Sequence, residues 1–409
     1  MTDEKRPFDF VCIGSATQDV FVRSDASKIL TLGDMREESQ FLCFEYGGKI
    51  DVEHIEFTTG GGATNAAVSL ARLGARAAFI GKIGLDEIGQ LVLRELAAAG
   101  VDTVHHQKSD GDPTGYSVIL TSYEGDRTVL THRGASTQIC ADEIDWSLLG
   151  QSEWLYVTSL SGDSAKVLEP IAEKAPAAGL RIAFNPGSTQ IKAGIDGLEG
   201  FLAQTEVLML NKEEAARLSG KEPVKDVMIE SLCSQCGHCI EVCPRNVFAV
   251  DHDRVIPAGL DRCDHCGACA KACQTGALVM EPWAFNVSEA FDVLCKTGPK
   301  VVVITDGDNG VQACDGDTVY VLPAEEVSVA SSLGAGDAFG SAFVYEYSQT
   351  GEIGRSMALG AANAASVVQV VGAKNGLLDV ADAEAVRSRF DEKSLRKIQL
   401  ADLIQAAGH

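Results

Sequence analysis

An α/β domain on a mostly parallel sheet, interrupted by a small cysteine-rich domain, is the fold class predicted by these 409 residues. Three observations carry the prediction. Short runs of β-branched and aromatic residues recur with helix-sized gaps between them, which is the rhythm of βαβ units. That rhythm breaks near residue 226 and resumes at Lys300-Val301-Val302-Val303-Ile304. Between the two regions lie eight of the chain's 13 cysteines, from Cys233 to Cys273.

The elements follow in order. Phe10-Val11-Cys12-Ile13 reads as a buried strand that ends at Gly14. Ala66 to Leu73 is a small-residue helix stopped by Gly74, and Arg76-Ala77-Ala78-Phe79-Ile80 is the next strand. Leu91 to Ala99 is helical and stops at Gly100. Trp154-Leu155-Tyr156-Val157, Arg181-Ile182-Ala183-Phe184 and Val207-Leu208-Met209-Leu210 are further short strands. Removing residues 226–283 leaves a continuous α/β pattern over 1–225 and 284–409. The cysteine-rich stretch therefore reads as an insertion into a surface connection, where added length costs least.

Composition excludes several classes. Hydrophobic residues make up 45% and charged residues 22%, so the chain forms a core. The formal net charge of −24 repels nucleic acid, and no basic run offsets it. No apolar segment is long enough to cross a membrane. The N-terminus lacks the long apolar stretch and small-residue cleavage site of a signal peptide. A cytoplasmic protein with no nucleic-acid or membrane partner is expected.

In a reducing compartment, clustered cysteines read as metal ligands. Two copies of one spacing occur thirty residues apart. The first is Cys233-x2-Cys236-x2-Cys239-x3-Cys243-Pro244, and the second is Cys263-x2-Cys266-x2-Cys269-x3-Cys273. Two-residue spacings let three thiolates converge in a tight turn, and the distant fourth, on a short helix, reaches the other cluster. By that rule Cys233, Cys236, Cys239 and Cys273 hold one [4Fe–4S] cluster, and Cys263, Cys266, Cys269 and Cys243 hold the second. CxxC pairs also suit zinc; eight thiolates in triplets plus singlets fit two cubanes better. His238 and His265 lie between ligands and read as exposed turn residues. The segment resembles the bacterial two-cluster ferredoxins, with Gln274 in place of the second proline.

Outside the insert, Gly334-Ala335-Gly336-Asp337-Ala338-Phe339 precedes a run of small and apolar residues. Glycines before a helix expose backbone N–H groups at the positive end of its dipole, an arrangement that receives anions. An aspartate there suits a base that takes a proton from a hydroxyl attacking a phosphoryl group. The rival reading, half of a dinucleotide-binding GxGxxG, lacks a third glycine in place and a strand directly before it. A second cluster, Gly60-Gly61-Gly62-Ala63-Thr64-Asn65, fits a tightly packed helix start or backbone laid against a polyhydroxylated ligand.

Together these strings resemble the ribokinase (PfkB) family of sugar and nucleoside kinases. Its first signature is matched from Gly60 through Asn65 and on to Gly81-Lys82-Ile83-Gly84-x-Asp86-x-x-Gly89, and its second at Gly334 to Phe339. Asn211-Lys212-Glu213-Glu214 matches the family's Asn-x-x-Glu motif. Val302 to Gly310 matches the nucleotide-binding strand and turn.

The resemblance implies a ribokinase-like three-layer α/β/α fold with a small β lid from about 20–57 and 114–133, and an inserted α+β ferredoxin-like domain. It implies an ATP-dependent kinase acting on a hydroxymethyl group. Asp337 is then the base, with an anion hole from the amides of Gly334, Ala335 and Gly336. Asp19, Gly60, Gly61 and Asn65 contact substrate. Asn211 and Glu214 organise Mg²⁺, and Thr305, Gly307 and Asn363 sit where the family holds ATP. Arg133 stands where some members bring a charge toward the phosphates. Lids of this kind often form a homodimer contact.

The family writes Asp-Thr-Thr before Gly-Ala-Gly-Asp. Here it is Ser331-Ser332-Leu333, which puts monovalent-cation activation in doubt. The insert implies a redox sensor, a dock for a redox partner protein, or a structural clip. A catalytically inactive kinase fold serving electron transfer is the alternative, and an intact Asp337 favours the enzyme.

Overall fold

The computed structural model describes residues 6–24, 28–33, 38–121, 127–220, 227–228, 233–251, 254–258, 268–275, 277–279 and 287–407. Nine strands form its central sheet. Their order is Arg396–Gln399, Thr318–Leu322, Val311–Cys314, Val301–Thr305, Thr205–Asn211, Arg181–Phe184, Ser152–Val157, Phe8–Ile13 and Ala77–Ile80. From Val301–Thr305 to Ala77–Ile80 every pairing is parallel. The other three strands add an antiparallel edge that the βαβ rhythm does not announce.

The parallel strands are apolar on both faces because helices cover both. Val11, Ile13, Leu155, Val157, Leu208 and Leu210 pack into one core cluster. Their alternates Phe10, Cys12, Trp154, Tyr156, Val207 and Met209 pack into the other, against helices Gly62–Arg72, Ala335–Thr350 and Ile353–Val368. Strand Phe8–Ile13 lies between Ala77–Ile80 and Ser152–Val157, so the winding direction reverses there. A ligand crevice in such a sheet opens at the carboxyl ends of the strands beside this reversal.

The expected lid is a second sheet in the order Arg127–His132, Gly115–Thr121, Thr17–Arg23 and His54–Gly60. It begins and ends three residues wider than the expected 20–57, because Thr17↔Gly60 is already a ladder pair. A hairpin of Lys28–Gly33 and Glu38–Cys43 extends from it.

The kinase-like rhythm ends with helix Lys212–Leu218 and resumes with helix Val287–Cys295. In between, Val227–Met228 pairs with Leu278–Val279, two short helices span His238–Val242 and Ala268–Ala272, and Phe248–Asp251 pairs with Arg254–Pro257. These elements share a small core of Cys239, Val247, Phe248, Val255, Cys269 and Leu278. The expected junctions at 225/226 and 283/284 lie outside the described residues, as do Cys263, His265 and Cys266.

Candidate active site

Asp337 lies in the first turn of helix Ala335–Thr350, whose N-cap Gly334 has φ 80 and ψ −1. That left-handed backbone suits glycine. A Cβ on Gly334 would lie 2.4 Å from the Ala373 Cβ, so the turn is pressed onto the Gly372–Gly376 loop, whereas a Cβ on Gly336 would meet open space. The Ala335 amide turns back to the Ser332 carbonyl at 3.4 Å, a stretched bond that an incoming oxygen can replace. The other amides of this turn stand at the positive end of a 16-residue helix.

The Asp337 carboxylate accepts a hydrogen bond of 2.8 Å from the Asn65 side-chain amide. Burial raises its pKa above the ordinary carboxylate value. The Asn65 bond opposes that rise, the charge of Asp19 adds to it, and Lys374 opposes it. Asn65 is buried, and its Oδ1 has no partner among the described residues. Asp19 sits on lid strand Thr17–Arg23, opposite Thr58. Its pKa is raised by burial against hydrogen bonds from Ser117 and Thr17 and the charge of Lys374. The Thr58 hydroxyl is a second buried group without a partner among the described residues. Orphaned polar groups cost roughly 1–3 kcal/mol each unless a ligand or water satisfies them. Two beside two carboxylates suit a polyol.

Gly60 and Gly61 make room for this arrangement. A Cβ on Gly60 would lie 1.9 Å from Asp19 Oδ2. Gly61, at φ +100, would place one 2.4 Å from the Ser15 carbonyl oxygen. Their sequence signal therefore reports the close approach of strand and helix start to Asp19 and Ser15.

Asn211 caps helix Lys212–Leu218. Its side chain accepts from the Glu214 amide and the Glu214 carboxylate accepts from the Asn211 amide, a reciprocal capping box. Burial, reinforced by Glu213, raises Glu214, and a nearby cation would relieve that. Asn211 pairs in register with Thr305, and Lys212 bridges to Asp306 at 2.8 Å, so the two loops form one rim. Gly307 opens the short turn that follows.

Asn363, expected beside the nucleotide, lies in helix Ile353–Val368. It is fully buried, its amide donates to Ser69 Oγ and the Ala338 carbonyl, and its carbonyl accepts from the Leu378 amide. Its polar atoms bind helices to one another. Arg133 is exposed just after the last lid strand.

Sequence reasoning missed Thr58 and Lys374. Lys374 is buried, and its ammonium donates to Thr59 Oγ1 at 2.6 Å and to Glu95 at 3.3 Å. The available signal was a lysine inside Gly372-Ala373-Lys374-Asn375-Gly376, outside every motif.

In the cysteine-rich region, Cys233, Cys236, Cys239 and Cys273 line one small cavity with Ser234 and Thr275. Three are consecutive in the first motif, and the fourth comes from the second motif, as the interleaved spacing predicts. The thiols face a shared space, and among the described residues no three His, Cys, Asp or Glu side chains close on a single-ion site. Cys243 and Cys273 fall one residue beyond their helices and not within them, because each helix ends at the preceding residue. His238 opens its helix with Nδ1 3.2 Å from Cys236 Sγ. Hydrogen bonds from the His238 amide, Ser234 and that ring lower the Cys236 thiol to about 7, which favours a thiolate ligand.

The comparisons agree with both halves. Residues 12–242 and 284–380 match the pfkB family carbohydrate kinase model, and residues 232–278 match the 4Fe–4S dicluster domain. An ATP-dependent ribose-1-phosphate kinase of Halopiger xanaduensis is 24% identical over 347 residues, covering 85% of this chain and 93% of that protein. A ferredoxin of Methanocaldococcus jannaschii is 43% identical over 54 residues, 13% of this chain and 87% of the ferredoxin. The crystal structure of a ribokinase from Thermotoga maritima shares the fold at TM-score 0.64 and 18% identity, covering 93% of this chain and all of that one. With the fold, the glycine-capped helix and the crevice in agreement, the chain belongs to the pfkB family of carbohydrate kinases and carries a 4Fe–4S dicluster ferredoxin domain within it.

Proposed function

We propose that this sugar kinase transfers the γ-phosphoryl group of ATP to a hydroxymethyl group of a sugar or nucleoside, with Asp337 as general base. The observation that carries this is the grouping of Asp337, Asn65, Asp19 and Thr58 at the carboxyl end of the sheet, with two orphaned polar atoms among them. The substrate's hydroxyls pair with Asp19, Thr58 and Asn65 Oδ1 and hold it still. Asp337 takes the proton from the attacking hydroxyl, and its raised proton affinity suits that task. The amides of Gly334 and Gly336, joined by Ala335, meet charge developing on the transferred group. Positioning and charge stabilisation supply most of such a reaction.

The capping-box residues Asn211 and Glu214 fit Mg²⁺ held through water, and Thr305 and Gly307 lie on the adjoining rim where the nucleotide would rest. Mg²⁺, when bound, supplies neutralisation of phosphate charge.

For the inserted domain we take residues 226–283 as the unit and two [4Fe–4S] clusters as its cargo. Cys233, Cys236, Cys239 and Cys273 hold the first, and Cys243 and Cys269 with Cys263 and Cys266 hold the second. The fit rests on the shared cavity of the first four and on the lowered Cys236 thiol. Clusters of this kind supply one-electron redox chemistry, which phosphoryl transfer does not need. We therefore assign the module a regulatory role, sensing redox state directly or through a redox partner protein. One lid face leaves Ile55, Phe57 and Leu130 exposed, in keeping with a homodimer contact there.

The test is a screen of sugars and nucleosides with anaerobically purified protein, reading ADP and phosphomonoester by ³¹P NMR. Because of the Halopiger relative, ribose and its phosphates come first. A primary-alcohol phosphate formed in step with ADP is expected. ATP left intact, or hydrolysed without ester formation on every acceptor, would return the account to an inactive kinase fold.

A further inference from the structure

The Gly372–Gly376 loop touches three parts of the site at once. Ala373 abuts the Gly334 turn, Gly372 packs against the Thr58 side chain, and Lys374 bonds Thr59 on the same lid strand and Glu95 on helix Glu87–Ala98. The Arg72 side chain reaches the Lys374 carbonyl at 3.5 Å. The lid strand His54–Gly60 is an edge strand, so this loop holds it at its root. An ammonium in so dry a place is costly unless anions face it. Glu95 lies in direct contact, and Asp19 and Asp337 lie within the reach of its charge.

We propose that Lys374 is a positioning residue, fastening the root of the lid to the anion-hole turn and presenting a buried positive charge to Asp19 and Asp337. This rests on Asp337 being the base. The groups facing Asp337 are Asn65 from helix Gly62–Arg72, Tyr156 from strand Ser152–Val157, Asp19 from the lid and Lys374 from the loop. Those facing Lys374 are Thr59, Glu95, Asp19 and Asp337, with Arg72 on its carbonyl. Lys374 is the cation shared by both carboxylates: its charge opposes the burial that raises each of them.

The test measures kcat/KM against pH for Lys374→Met, Lys374→Gln and Lys374→Arg, with the substrate found in the screen. Loss of the charge raises the proton affinity of the base. The acid limb of the Met and Gln variants therefore moves to higher pH by about half a unit to one unit, the order expected for one charge across several ångströms of partly solvated protein. Gln can still bond Thr59, so it separates charge from tether and serves if Met does not fold. Arg, which keeps the charge, returns the limb to the wild-type position. An unmoved limb in Met and Gln, or an equal shift in Arg, overturns the proposal. Asp337→Asn separates the two readings. If it turns over normally, the base assignment fails whatever Lys374 does. If it is inactive while the Met and Gln limbs stay put, only the Lys374 inference fails.

Discussion

Gly334→Ala probes the anion hole through its backbone. The new Cβ would start 2.4 Å from the Ala373 Cβ and 2.8 Å from its Cα, where ordinary contact begins at 3.4 Å. The turn or the loop must therefore part by about 1 Å, and a misplacement of about 1 Å in a positioning group can cost roughly 10²-fold in rate. Holding alanine at φ 80 adds about 1–2 kcal/mol of strain, which lowers Tm by a few degrees. Gly336→Ala is the control for stability alone, since its own amide belongs to the proposed anion hole. Its Cβ meets nothing, and alanine in a helix is favoured over glycine by about 1 kcal/mol, so its Tm holds or rises. The assay is steady-state kinetics with the screened substrate beside thermal unfolding of both variants. If Gly334→Ala keeps kcat within about twofold and Tm within about 1 °C of wild type, the turn is not braced on Ala373 and the reasoning fails.

Other expectations can be checked alongside. Anaerobic protein should carry about eight iron and eight labile sulfide per chain; stoichiometric zinc without sulfide contradicts the cluster assignment. Replacing residues 226–283 by a short Gly/Ser linker should change kcat or the KM for Mg·ATP, because the insert follows the helix carrying Asn211 and Glu214. If the deletion and air-oxidised protein both match the intact reduced enzyme, the module does not gate the kinase. Asp337→Asn should raise Tm at pH 7 by about 1–3 °C. Folding raises the proton affinity of Asp337, so its ionised form costs stability above the unfolded pKa, and that cost fades as pH falls toward and below that value. The Tm gain of the variant should therefore shrink in acid, and a gain that grows in acid would contradict the sign.

Much of this was legible in the chain. Period and run length mark the parallel strands because those strands are apolar on both faces, as Val207 to Leu210 are. The antiparallel edge escaped because Arg396–Gln399 is mostly exposed and carries no such pattern. The interleaved spacing also anticipates the cavity that Cys273 shares with Cys233, Cys236 and Cys239, although Cys273 lies just past its helix. Asp337 and Asn65 were nameable from motifs, but their 2.8 Å contact spans 272 positions and needs the fold. Thr58 and Lys374 belong to no motif. Their roles come from burial and from neighbours brought by other elements, which a linear pattern does not encode. Asn363 was nameable too, but its bonds to Ser69 and Ala338 join elements far apart in the chain and need the fold.

The central claim is that Asp337 is the base of a working sugar kinase, and phosphoryl transfer by Asp337→Asn tests it most directly. Asparagine keeps the shape and the neighbour Asn65 but cannot accept the proton. The account predicts a fall in kcat of roughly 10²–10⁴-fold with Mg·ATP binding retained. Near-normal turnover by that variant would contradict it.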